Sequence, residues 1–146
     1  DHMDTTLLFN QLTGVYRPYI KLFQPVFDDF ELFPAQWLVL KDISQNAPTT
    51  LVQISKRRAI EKPTTRKILK ALSEKSLLII EQGKDKREKK LSLSDDGRLL
   101  FTQMSERIEG IQDEIIKEAG ISADQLAETY HTIRLIHEQI NKMEES

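Results

Sequence analysis

The chain has 146 residues, of which 39% are hydrophobic and 30% charged, with five Gly, five Pro and no Cys. That length suits one compact unit, the composition excludes a disordered chain, and the lack of cysteine excludes disulfides, thiolate metal sites and thiol chemistry. A formal net charge of −2 conceals an asymmetry: from Lys56 to Lys90 thirteen Lys or Arg stand against five Asp or Glu, a local +8, while the remainder carries −10.

A basic centre between acidic ends is the pattern of a polyanion reader carried by other structural helices. Asp1, His2 and Met3 read as a cloning scar ahead of a native start and are set aside. No apolar run approaches the roughly 20 residues of a membrane helix, and no charged-then-apolar leader opens the chain, so a cytoplasmic protein without membrane contact is expected.

From Thr5 to about Phe30, Leu8, Leu12, Val15, Tyr19, Leu22, Phe23, Val26 and Phe30 recur mostly at helical steps. Pro18 and Pro25 each remove a backbone donor, which predicts a bend or break at one of them. Pro34 suits the first position of a second helix running to Asp42 or Ile43, with Trp37, Leu38, Leu40 and Ile43 inward. Thr50 with Gln53 has capping-box spacing and opens a short helix from about Leu51 to Arg58. Another opens near Pro63, with Ile68, Leu69 and Leu72 as its inward stripe. The turn between these two short helices lacks glycine, which weakens the helix-turn-helix signal taken alone.

Leu77 to Ile80 and the alternating Leu91, Ser92, Leu93, Ser94 predict a two-stranded hairpin with a charged tip from Gly83 to Lys90. Ser94 then stands as an N-cap before Asp95, Asp96 and Gly97, with the acids where a helix start favours them. Along that helix Phe101, Met104, Ile108, Ile111 and Ile115 form a narrow seam suited to another helix, and Gly120 ends it. Ser122 with Gln125 opens a last helix, whose one face carries Leu126, Tyr130, Ile133, Ile136, Ile140 and Met143.

The order of elements predicts a mainly α fold with a small β-hairpin: a winged helix-turn-helix flanked by N- and C-terminal helices. In such a pair the second short helix enters the major groove. Pro63, Thr64 and Lys67 are expected outward, Lys70 one turn on, and Thr65 and Arg66 between the faces within reach of phosphate. Lys84, Lys86, Arg87 and Lys89 at the hairpin tip read either as a solvated loop or, beside a recognition helix, as a wing whose Arg reaches a narrow minor groove. Nothing points to an enzyme. His131 and His137 are six residues apart and do not share a helical face, Asp95 and Asp96 serve a helix start, and no phosphate-cradling loop or nucleophile elbow occurs. No metal or cofactor is expected.

Asp85, Lys86 and Arg87, followed by Leu91, Ser92, Leu93, Ser94 and Gly97, are similar to the wing signature of the MarR family of transcriptional regulators. Pro34, Ala35, Gln36 and Trp37 resemble that family's second-helix opening, and Pro63 to Leu78 its recognition helix and exit, so the likeness spans Thr5 to Met143. Two departures are Ser76, where the family commonly has Gly, and Arg66, where a hydroxyl is commoner.

The resemblance implies a homodimer in which residues 4–33 and 98–146 dimerise and 34–97 read DNA, with Arg87 in the minor groove and Asp85 supporting the wing. It further implies a sequence-specific regulator of double-stranded DNA bearing an inverted repeat, expected to be a repressor relieved by a small aromatic ligand. Tyr16, Tyr19, Phe23 and Trp37 are candidates for lining such a pocket and read equally as ordinary core aromatics. The alternative function is a winged helix that binds protein and not DNA.

Overall fold

The computed structural model describes residues 1–85 and 87–145; Lys86 and Ser146 lie outside the described residues. The elements run α1 (His2–Leu22), α2 (Gln24–Phe30), α3 (Pro34–Asn46), α4 (Leu51–Arg58), α5 (Lys62–Glu74), β1 (Leu78–Gln82), β2 (Lys89–Leu93), α6 (Asp95–Glu118) and α7 (Ala123–Glu145). Two compact units result, Asp1–Ile108 and Glu109–Ser146, with the boundary inside α6.

The predicted N-terminal helix is interrupted at Phe23, and of the two prolines it is Pro25 that marks the break. Pro25 sits in the first turn of α2, where its missing N–H has no helical partner to lose, whereas Pro18 is accommodated inside α1. Breaking there turns Phe23, Val26 and Phe27 into the core. The chain leaves α2 through Glu31 in the left-handed region, φ 54°.

In the first unit the core joins Phe23, Val26, Phe27 and Leu32 to Trp37, Val39, Leu40 and Ile43 of α3, and to Ile54, Leu69, Leu72, Leu77, Leu91, Leu93, Met104 and Ile108. On α3 the expected inward Leu38 is half-buried and Val39 takes the core position, so the buried arc is rotated by one residue. Helix α2 is pinned from two sides: Lys75 Nζ donates to the Glu31 carbonyl at 2.7 Å, and Arg107 pairs with Asp29 at 2.6 Å while lying 5.8 Å from the Phe30 ring centroid.

Strands β1 and β2 pair antiparallel from Leu78↔Leu93 to Gln82↔Lys89. The stem thus extends through Glu81↔Lys90 and Gln82↔Lys89, beyond the apolar residues that mark it in the sequence, because oppositely charged and polar cross-strand pairs continue the ladder. A further bridge joins Thr49 to Leu91, with Thr49 N–H to Leu91 O at 3.1 Å and Leu91 N–H to Thr49 O at 2.7 Å. Ser94 closes the stem: its hydroxyl donates to the Ser76 carbonyl at 2.7 Å and accepts the Gly97 amide at 3.0 Å. Gly97 is buried so tightly that a Cβ there would stand 2.2 Å from the Leu77 carbonyl oxygen.

The second unit holds the end of α6, the turn at Gly120 and α7, opened by the Ser122–Gln125 capping box (2.9 and 3.1 Å). Neither α1 nor α7 buries a single residue in the chain. The architecture is a mainly helical winged helix-turn-helix in which α4 and α5 are the paired short helices and β1–β2 the wing.

Candidate nucleic-acid interface

Helix α4 begins as its sequence dictates. Thr50 Oγ1 accepts the Gln53 amide at 3.2 Å and Gln53 Oε1 accepts the Thr50 amide at 3.1 Å, so each satisfies an otherwise unpaired donor. The glycine-free turn is closed by Ala59, which adopts the left-handed conformation itself, φ 54°. Ile60 then donates to the Ser55 carbonyl at 3.1 Å, and Glu61 leads into α5 with Pro63 in its first turn.

Three residues of α5 are buried: Thr65, Leu69 and Leu72. Thr65 is 0% exposed, which removes it from the set of phosphate-reaching residues. Its hydroxyl oxygen lies 2.8 Å from that of Ser55 on α4 and 3.2 Å from the Glu61 carbonyl, so this threonine knits the two short helices together. Ile68, expected inward, is half-buried, and the inward stripe is displaced toward Thr65. Pro63, Thr64, Arg66, Lys67 and Lys70 are exposed.

The hairpin tip is a local hydrogen-bonded construction. Gly83 N–H donates to the Glu88 carbonyl at 2.8 Å and Glu88 N–H to the Asp85 carbonyl at 2.9 Å. The Asp85 carboxylate accepts the Arg87 amide at 3.0 Å, an Asx turn that fixes the backbone from which the Arg87 side chain departs. Lys84, Arg87 and Lys89 are exposed; Lys86 lies outside the described residues.

A cleft of about 820 Å³ opens between the start of α4, the outer side of α5 and the hairpin. Its walls include Arg66 and Lys70 from α5 and Arg87 and Lys89 from the hairpin, over a floor that includes Leu51, Val52, Leu69, Ile80 and Leu91. Lys62 lines it too, four residues before Arg66 and eight before Lys70, completing a cationic stripe along one side of α5. Sequence reasoning passed over Lys62 because it precedes the proline taken as the helix start. Thr64 and Lys67 are exposed on α5, and Pro63 lines a shallower recess with Val52, Ser55 and Ile60.

One arginine of the basic segment is tied to a buried carboxylate. Arg57 Nε and Nη2 bind the Asp42 carboxylate at 2.8 to 3.2 Å, and Nη2 donates to Thr49 Oγ1 at 2.6 Å. The hydrogen bond to Asp42 raises the Arg57 pKa above its ordinary value; burial opposes the rise and the carboxylate charge adds to it. Asp42 comes fifteen residues earlier, and nothing local in the sequence announces the pairing.

The candidate pocket aromatics lie in two ring contacts and at one exposed position. Tyr19 and Phe23 meet edge-on at 4.7 Å, whereas Trp37 stacks on Phe101 at 5.4 Å. Phe23 and Trp37 are buried core residues, and Tyr16 is exposed on α1. Among the described residues no group of three or more His, Cys, Asp or Glu could hold a metal ion, and no helix is long and apolar enough to cross a membrane.

No family model matches the chain. An uncharacterised HTH-type transcriptional regulator of Staphylococcus aureus strain Mu50 is 42% identical over 135 residues, covering 92% of each chain. The solved structure of Staphylococcus aureus MarR in complex with salicylate and kanamycin matches with a TM-score of 0.88 and 41% identity, over 96% of this chain and 94% of that one. Native Staphylococcus aureus MarR matches with a TM-score of 0.86 and 42% identity, over 92% and 94%. With that identity over nearly the whole length, and with the paired helices, the wing and the Ser94–Gly97 junction in place, the chain belongs to the MarR family of HTH-type transcriptional regulators.

Proposed function

We propose that two copies of the chain bind an inverted repeat in double-stranded DNA, each laying α5 in a major groove and the hairpin along the flanking minor groove, and that this binding represses transcription in the cytoplasm. The observation that carries the reading is the cleft lined by Lys62, Arg66 and Lys70 of α5 and Arg87 and Lys89 of the hairpin, five cations against the two acids Asp85 and Glu88. Pro63, Thr64 and Lys67 occupy the exposed N-terminal part of α5, the part of a recognition helix that meets base edges. Lys84 and Arg87 extend from the hairpin tip, and an Arg there suits the enhanced negative potential of a narrow A·T-rich groove.

Dimerisation through residues 4–33 and 98–146 is supported by apolar side chains that the chain leaves uncovered. They include Leu7, Leu8, Val15 and Tyr16 on α1 and Leu126, Tyr130, Ile133, Leu135, Ile140 and Met143 on α7. A two-fold pair would present its recognition helices to half-sites about one helical turn apart. That Staphylococcus aureus MarR has been solved with salicylate supports relief of repression by a small aromatic acid here.

The test is selection of bound fragments from genomic DNA followed by fluorescence anisotropy across a salt series. Recovery of inverted repeats is expected, with log affinity falling against log salt by about 0.9 per phosphate neutralised. Lys67→Ala and Arg87→Ala each weaken binding and leave the sedimentation of the dimer unchanged. A monomeric particle, or a salt-insensitive association, refutes the reading.

A further inference from the structure

The most basic stretch of the chain contains one arginine engaged by a buried carboxylate, and its partners lie on the route from the helix pair to the hairpin. Arg57 of α4 grips Asp42 of α3, whose carboxylate is 7% exposed, through a two-nitrogen fork. The same Nη2 that holds Asp42 Oδ2 donates to the hydroxyl of Thr49 in the α3–α4 connection. Thr49 in turn donates to Gln53 Oε1 at 3.0 Å, so its hydroxyl is satisfied on both sides. Its backbone is joined in both directions to Leu91, the middle residue of β2, opposite Ile80 and four residues beyond Arg87. A two-stranded hairpin is marginal by itself, so its attitude depends on what its stem is fastened to. A planar guanidinium fixes direction as well as distance, which an ammonium does not.

We propose that Arg57 is a positioning residue: held by Asp42, it locks Thr49 and through it the stem of the hairpin, setting where Arg87 meets a duplex. The inference rests on the DNA-binding reading above. It assigns Arg57 no contact with DNA, although the residue belongs to the segment whose charge first suggested such contact.

The absence of cysteine allows a single nitroxide to be placed at Lys84→Cys, reporting hairpin mobility without DNA. Thr49→Val removes the hydroxyl and keeps the backbone bridge, and Arg57→Lys keeps the charge and loses the fork; each is checked for folding by circular dichroism. In both backgrounds the label becomes more mobile than in the parent. The loss caused by Arg87→Ala, about ten-fold in the parent, shrinks to less than about three-fold because the hairpin is no longer held to the groove.

If Arg57 were a phosphate contact, Arg57→Lys would bind like the parent with an unchanged label spectrum, which overturns the proposal. Additive losses with a parent-like spectrum overturn it as well. Should the parent bind no duplex at all, the DNA-binding reading fails. The label spectra then decide the positioning half alone: unchanged spectra overturn it, and mobilised ones support it.

Discussion

Replacing Gly97 by Ala tests how tightly the hairpin exit is joined to α6. The new Cβ would stand 2.2 Å from the Leu77 carbonyl oxygen, 3.1 Å from its carbon and 3.4 Å from its Cα, and all three are backbone atoms. Reaching an ordinary separation of about 3.3 Å requires roughly 1 Å of relative movement, more than a rotamer change supplies. The same carbonyl accepts the Ser94 amide at 3.0 Å, and the Ser94 hydroxyl holds Ser76 at 2.7 Å and Gly97 at 3.0 Å, so the movement strains all three bonds. Overpacking costs about 1–3 kcal/mol and a weakened hydrogen bond about 1 kcal/mol. Against this, Ala gains up to about 1 kcal/mol over Gly in a helix. The net is a loss of about 1–3 kcal/mol, or a fall of roughly 3–10 °C in Tm for a chain of this size.

Thermal denaturation followed at 222 nm, with protein concentration held fixed because association shifts Tm, measures the fall. Gly110→Ala supplies the opposite sign within the same helix, since a Cβ there meets nothing in the chain within 4 Å and only the gain in helix propensity, about 0.5–1 kcal/mol, remains. A Gly97→Ala protein as stable as its parent would refute the steric argument.

Ser76 holds φ 62° with an exposed side chain, so Ser76→Gly should stabilise the protein by about 1 kcal/mol; a lower urea midpoint contradicts this. Thr65→Val keeps the shape and removes the hydroxyl bond to Ser55, costing about 1 kcal/mol with duplex affinity unchanged within two-fold. A large loss of affinity without loss of stability would return Thr65 to the interface. Arg87→Ala should reduce the salt dependence of duplex binding by about one phosphate's worth, roughly 0.9 in slope, and an unaltered slope argues against a backbone contact. Asp42→Ala leaves Arg57 half-buried without its carboxylate and should cost about 2–3 kcal/mol, read from the urea midpoint; a loss below about 0.5 kcal/mol would mean the pair contributes little to the fold.

What was legible in the sequence was what is settled over a few residues. Thr50 with Gln53 and Ser122 with Gln125 mark helix starts because the hydrogen bonds they make are three residues long. Ser94 before Gly97 likewise marks the start of α6. The positions left open or misplaced depend on distant partners. Pro18 and Pro25 carry the same local signal, and which one breaks the helix is decided by the burial of Phe23, Val26 and Phe27. Thr65 looks like a polar residue between the faces until Ser55 of the neighbouring helix is brought to it. Arg57 looks like one more cation of a basic run, and only the folded chain delivers Asp42 to it. The outward cations Lys67 and Lys70 of α5 were legible because helical spacing alone separates them from Leu69 and Leu72. The convergence of Lys70 with Arg87 across a cleft required the register of the hairpin.

The hairpin divides its labour along its length. Leu91 and Leu93 at the base are embedded in the core, while Lys84, Asp85 and Arg87 at the far end are exposed, and Asp85 accepts hydrogen bonds from its neighbours Gln82, Arg87 and Glu88. Exchanging Lys84 or Arg87 therefore leaves the folding equilibrium nearly untouched, provided Asp85 keeps its turn. Descendants of such a chain can drift in what they recognise without first acquiring compensating changes in the interior, and a designer can randomise the far end as a library without sorting for survivors of misfolding.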